Sequence, residues 1–329
     1  MKLRTSWTPR YRNRGLSLIE LMVSLVIGLV IMIAVVSAYL GASGATRVAE
    51  AQARMNEDGQ AALTILSQQL RMAGTNPKQV NYDVATPRNP IYGTSTYIIR
   101  GCDGNFTNVT SAADISTLTC AAGGGTAPDA IAVNYEADRY NTIPTTGGSP
   151  TDCLGQALPS LTGTPKIWNG AASVATNVTY TVAENRFYLA TSTAVVAPSL
   201  YCKGNGGNTP QSLVENVEDM QFAYGTAPAT ATPTTLAVAG YLNASENTPA
   251  GNSIPTATGL AGLPNDGARW AQVVTVRVCV VIRSERPVVQ DADSARYVKC
   301  DGTVSAPFAD LRLRRAYSTT VVLRNRVPS

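Results

Sequence analysis

Six cysteines, at positions 102, 120, 153, 202, 279 and 300, are the side chains with most chemistry to offer. None stands in a C-x-x-C pair, so zinc ribbons and dithiol redox motifs have no footing. An even number of thiols in a segment outside the cytoplasm favours disulfides. Spacing alone leaves the connectivity open, and the sequential pairing is preferred: Cys102–Cys120, Cys153–Cys202 and Cys279–Cys300. The second notable group is a lone carboxylate, Glu20, inside RGLSLIELMVSLVIGLVIMIAVVSAYL at positions 14–40. A carboxylate within such an apolar helix costs about 2.5–3.5 kcal/mol on insertion scales, so it asks for a partner charge.

Other groups point away from catalysis. The 329 residues include no histidine, which removes the commonest general base and transition-metal ligand. Asp291 and Asp293 resemble a fragment of a calcium loop without its remaining ligands and read as a turn. Gly204–Gly207 (GNGG) lacks the spacing of a phosphate cradle and reads as a loop. Arg312 and Arg314 alternate with Leu311 and Leu313 like the solvent face of a strand. With Arg315, Arg324 and Arg326 they form a basic cluster, for which nucleic acid is an alternative partner but not the favoured one. An enzyme is not expected, nor a metal or cofactor.

The elements that must position these groups begin with a span. Leu21–Leu40 holds 20 uncharged residues, roughly 30 Å of helix, enough to cross a bilayer. Lys2, Arg4, Arg10, Arg12 and Arg14 precede it. Subtracting them from the net charge of +4 leaves −1, so the basicity is a topology signal that holds the leader in the cytoplasm. From Gly41 to Ala73 no proline occurs, and Val48, Met55, Ala62, Leu66 and Leu70 form one apolar stripe. Glu50 lies four residues before Arg54 in the favourable order. Gly74 is a C-cap candidate and Pro77 ends any continuation. One helix is expected from Leu16 to about Ala73, with Gly41, Gly44 and Gly59 as bend points.

Beyond it, Asp129–Glu136, Val174–Val182, Arg186–Thr191 and Gln272–Arg283 read as strands. Val274, Val276, Val278, Val280 and Ile282 line one face of the last, the natural partner of the helix stripe, with Cys279 on the other. Tyr317, Thr319, Val321 and Leu323 alternate in a final strand. The low-complexity stretch 225–267 reads as a loop insertion carrying at most one short strand near Tyr241.

The motif G-L-S-L-I-E-L at Gly15–Leu21 resembles that of type IV prepilins. Three later blocks, LVENVEDMQFAYG at Leu213–Gly225, WAQVVTVRVCVVIRS at Trp270–Ser284 and LRRAYSTTVVLRNR at Leu313–Arg326, resemble PilW-type minor pilins. The resemblance implies a type IV pilin-like α+β fold, a long N-terminal helix packed on an antiparallel β-sheet domain with long loop insertions. It implies a basic leader at 1–15, a transmembrane half-helix at 16–40, an amphipathic half-helix at 41–74 and a β-rich domain outside the cytoplasm at 75–329. Gly15 would be the last leader residue, Leu16 the N-methylated terminus, and Glu20 the carboxylate that meets a terminal amine during assembly. The implied partners are prepilin peptidase, the major pilin and other minor pilins, the inner-membrane assembly platform and the membrane itself. The implied function is a minor pilin that primes the pilus and sits at its tip. The alternatives are a J-like tip pseudopilin of type II secretion and a pilus-borne adhesin or DNA-uptake subunit.

Overall fold

The computed structural model describes residues 15, 17–75, 97–121, 127–164, 166–168, 171–192, 197–229, 237–244, 260, 263 and 266–326. Residues 1–14 of the leader, Leu16 and much of the 225–267 insertion lie outside them. The chain forms two units, residues 1–50 and 51–329. A single helix, α1 (Leu18–Met72), runs through the boundary, and the first unit contributes its apolar half. Gly41 and Gly44 do not interrupt it.

In the second unit α1 buries Met55, Gly59, Ala62, Leu63, Leu66 and Leu70, the stripe that its heptad-like spacing dictates. Gly59 is a packing site rather than a bend point. A Cβ there would stand 2.6 Å from the Tyr317 ring, so only glycine lets the tyrosine lie flat against the helix. The Tyr317 hydroxyl donates to Asn56 at 2.7 Å, which fixes the contact. Gly74 ends the helix at φ +73°, a left-handed conformation that glycine adopts without strain. Its N–H donates to the Asn134 carbonyl at 2.9 Å. Arg54 pairs with Glu285 at 3.2 Å instead of the expected Glu50, and both side chains are exposed.

The strands are β1 (Ile99–Cys102), β2 (Ala130–Glu136), β3 (Ser160–Gly163), β4 (Lys166–Trp168), β5 (Ser173–Ala175), β6 (Val178–Ala190), β7 (Ser199–Lys203), β8 (Gln211–Glu215), β9 (Val217–Thr226), β10 (Gly240–Leu242), β11 (Val273–Arg283) and β12 (Arg314–Val322), with a short helix α2 (Asp266–Trp270) before β11. One sheet runs β1-β2-β6-β7-β8, with β3 also on β6; a second runs β10-β9-β11-β12; β4 and β5 form a hairpin. All pairings are antiparallel. The chain passes from the first sheet to the second through Asn216, at φ 61° in the left-handed region that asparagine tolerates. Its carbonyl accepts the Arg283 N–H at 3.0 Å.

The α1 stripe shares one core with both sheets, including Ile131, Val133 and Phe187 of the first and Val276, Val278, Val280 and Ile282 of the second. Val274 was expected on this face. A register irregularity between Val273 and Thr275 instead places Val273 in the core. A polar contact reinforces the docking: Asn185 Nδ2 donates to Gln69 Oε1 of α1 at 2.8 Å and to the Tyr135 hydroxyl at 3.2 Å.

The two strands expected at 174–182 and 186–191 are largely one, β6. Its interior reads Ala183-Glu184-Asn185-Arg186, polar enough to suggest a turn, yet all four are buried. The first sheet is covered on both faces, the second cover being the 103–121 excursion. Phe106, Ile115 and Leu118 there, with Cys102 of β1, pack on Ala130, Ala132, Tyr188 and Tyr201. Glu184 and Arg186 secure this excursion. Arg186 Nε donates to Glu184 at 2.9 Å and its Nη2 to the Ala112 carbonyl at 3.0 Å, while Glu184 accepts the Ile115 N–H at 2.8 Å. Arg100 donates to the Ile115 carbonyl at 2.9 Å. Each buried charge thus meets a partner that offsets its desolvation.

Asp129, just before β2, accepts the Phe222 N–H at 2.7 Å and the Gly104 N–H at 3.3 Å, joining the excursion to the second sheet. Burial pushes its carboxyl up to about 8, against the pull of the Phe222 amide. The unfolded chain loses this proton near the ordinary 3.8. Between those values the folded state binds more protons, so stability falls as pH rises and levels off above the folded value. Asp129→Asn should remove this slope, making the variant more resistant than the native chain at about pH 9 and close to it at about pH 5, read from urea midpoints. Gly59→Val should cost about 1–3 kcal/mol by overpacking Tyr317, read from denaturant unfolding in detergent.

Candidate assembly site

The first unit offers a surface rather than a pocket. Every large apolar side chain from Leu18 to Leu40 is exposed, between 52 and 79 %. Water does not tolerate so large a continuous apolar patch, whereas lipid or another apolar helix does. The backbone begins its ladder with the Leu21 N–H donating to the Ser17 carbonyl at 3.1 Å. The hydroxyls are satisfied within the helix: Ser24 donates to the Glu20 carbonyl at 2.7 Å, Ser37 to Ala34 at 2.9 Å, Ser43 to Leu40 at 3.0 Å and Thr46 to Ala42 at 3.0 Å. This segment therefore needs little from its surroundings except at one group. Glu20 lies exposed in the first turn of α1, where the helix dipole favours a negative charge. Gly15 is exposed as well, and Leu16 is outside the described residues. Ser24 and Gly28, four apart, are exposed with open space at Gly28.

The cysteines lie in the second unit in three bonded pairs: Cys102–Cys120 with Cα atoms 5.6 Å apart, Cys153–Cys202 at 6.6 Å and Cys279–Cys300 at 5.8 Å. Each ties an irregular excursion to a strand. The first closes the 103–121 cover onto β1, the second holds the segment after β2 to β7, and the third holds 284–313 to β11. Such covalent ties limit the unfolded chain most where loops are long and poor in regular structure.

The basic cluster is not a solvated strand face. Residues 311–313 precede β12, and Leu311 takes φ 54°. Arg314 has a side chain only 3 % exposed and pairs with Glu218 at 2.9 Å and Asp310 at 2.7 Å. Its guanidinium also lies 3.7 Å from the centre of the Phe308 ring. Arg312 donates to the Ser284 carbonyl at 2.9 Å. These two arginines hold the 284–313 excursion; the alternation with leucine gave no sign of it, because their partners are far along the chain.

Asp291 accepts the Ser294 N–H at 2.8 Å and forms a turn. In the 204–207 loop Asp152 accepts the Gly206 N–H at 3.0 Å, and a Cβ at Gly204 would meet its carboxylate at 2.1 Å. That carboxylate occupies the loop that a phosphate would need. Among the described residues no group of three or more His, Cys, Asp or Glu could hold a metal ion.

The prokaryotic N-terminal methylation motif matches residues 10–36, and the family model of type IV pilus-assembly protein W matches residues 186–325. The chain belongs to the PilW family. No curated protein matches the chain. Among solved structures, a type IV-like pilin from Thermus thermophilus aligns at 11 % identity over 85 % of this chain and 98 % of that one, with a TM-score of 0.30. The PilW match spans the end of β6 through β12, hence the whole second sheet and two of the three disulfide-bearing elements, β7 and β11. The PilW-family chain is thus a type IV pilin, a structural subunit with a motif for processing by prepilin peptidase and an apolar helix for membrane anchoring and pilus assembly.

Arg314→Ala should cost about 3–5 kcal/mol, because Glu218 and Asp310 would lose a buried partner charge. Arg315→Ala, at an exposed position, should change stability by no more than about 0.5 kcal/mol. Denaturant midpoints of the two variants check the contrast.

Proposed function

We propose that the chain is a minor pilin that primes assembly of the type IV pilus and sits in a tip complex with other minor pilins. The observation that carries this reading is the joining of a methylation motif and an exposed apolar helix to a PilW-family domain in one polypeptide. In it, Gly15 is the last leader residue, prepilin peptidase cuts before Leu16, and the new amine is methylated. The leader 1–15 stays cytoplasmic, the helix over 16–40 lies in the inner membrane, and its continuation over 41–74 carries the domain 75–329 in the periplasm. The assembly platform then moves the subunit from lipid into a bundle of helices from other minor pilins and the major pilin.

Glu20 gives this step its chemistry. In lipid the carboxylate is costly, and beside a subunit's terminal ammonium two costly charges become a pair in low dielectric. Because it lies one turn into the helix, that pairing would fix how far one helix slides along the next. Glu20→Ala should leave leader removal intact while cutting pilus number per cell at least several-fold, counted by electron microscopy. Gly15→Ala should leave the leader attached, raising the mass of the cellular protein by the leader's mass. Normal piliation in a strain without this chain would overturn the priming role. Recovery of the subunit only with secretion machinery would favour a J-like pseudopilin.

A further inference from the structure

Among the described residues, the second sheet ends in an edge with little of the usual protection. β12 pairs with β11 over an unbroken register from Arg314 opposite Arg283 to Val322 opposite Thr275. It is terminal in the order β10-β9-β11-β12. An antiparallel strand turns the N–H and C=O of alternate residues away from its neighbour. Among the described residues, β11 provides the sole backbone hydrogen bonds reaching β12. Natural edges are kept short, bulged, interrupted by proline or charged along their length. The other edges follow that rule: β10 has three residues, β1 has four, and β8 has five with a register shift against β7. β12 has nine residues, no proline, no register shift and no charge from Ala316 to Val322. Ser318, Thr320 and Val322 are exposed.

We infer that the outer edge of β12 is a docking site for an extended segment of a different polypeptide, added as the next strand and carrying carboxylates near its ends. The ladder itself sets the first part of this chemistry, since only extended backbone can complete it. Charge sets the second. Arg315 and Arg324 flank the uncharged run, both exposed, and neither has a carboxylate within ion-pair distance among the described residues. A second copy of β12 fits poorly: antiparallel pairing about Ser318 would set Arg324 of one copy opposite Arg312 of the other, and facing like charges are destabilising.

The test uses the full-length chain in its host membrane, with a photoreactive phenylalanine derivative at Ser318 or at Thr320 and a control at exposed Thr303. Cross-linked peptides are identified by mass spectrometry. Paired strands require the two probes to reach partner residues two positions apart, in a segment of another polypeptide with Asp or Glu at its ends. Arg315→Glu should lower the yield at least several-fold, and Arg315→Lys should keep it. Cross-links to β12 of a second copy, scattered cross-links, or yields no greater than the Thr303 control would each overturn the inference. The readout does not depend on pili. A strand partner with no prepilin motif would leave the docking edge standing and count against the assembly reading, whereas pili formed normally without any cross-link would sink the edge alone.

Discussion

The second unit depends on the burial of one helical stripe, Met55 to Leu70, between strands of two sheets. The two sheets are separate ladders, and the chain passes from one to the other at Asn216. The helix makes them one body by giving both the same apolar partner. Its fit is close enough that Gly59 has no room for a methyl group. Polar groups add direction to this burial: the Asn185 amide reaches Gln69, so the helix has one favoured rotation and depth. A purely apolar stripe would tolerate sliding by a turn.

The same chain satisfies its polar groups in two distinct ways. In residues 18–46 the Ser and Thr hydroxyls return to carbonyls three or four residues earlier, which suits a surrounding that offers no hydrogen bonds. In the sheet domain, irregular excursions leave carbonyls and amides that neighbours must meet. Arg100, Arg186, Glu184 and Arg312 meet them from strand positions or strand ends. Disulfides close the same excursions covalently. The composition follows from this: long loops rich in Thr, Ser, Asn and Gly stay ordered where a buried arginine or a cystine holds their backbone.

This division explains what the sequence disclosed. The helix, β2, β11 and β12 are legible because apolar periodicity reports burial directly. β6 was read as two pieces because Glu184, Asn185 and Arg186 are polar, and periodicity cannot distinguish a buried charge with a distant partner from a turn. Arg314 was misread for the same reason, since Glu218 lies 96 residues earlier. The order of strands, with β6 at the centre of one sheet and β9 between β10 and β11 in the other, depends on long-range pairing that no local pattern encodes. Gly15, Leu16 and Glu20 are legible only as a motif: in the proposed reading their chemistry takes place with other molecules, which apolar periodicity does not report.

In the proposed assembly the anchor must leave lipid for a bundle of similar helices, and the physics of that exchange is unusual. Lipid chains are as apolar as leucine, so burying Leu21–Leu40 against protein gains almost no hydrophobic free energy. Close packing and the pairing of a stranded charge are what remain to drive it. Over residues 16–40 the one charged side chain is Glu20, and its cost in lipid, about 2.5–3.5 kcal/mol, is comparable with the whole gain available from a favourable helix contact. A subunit with the carboxylate removed would be more comfortable in the membrane and less inclined to leave it. In that assembly the glutamate would act first by making the unassembled state worse, and only second by improving the assembled one.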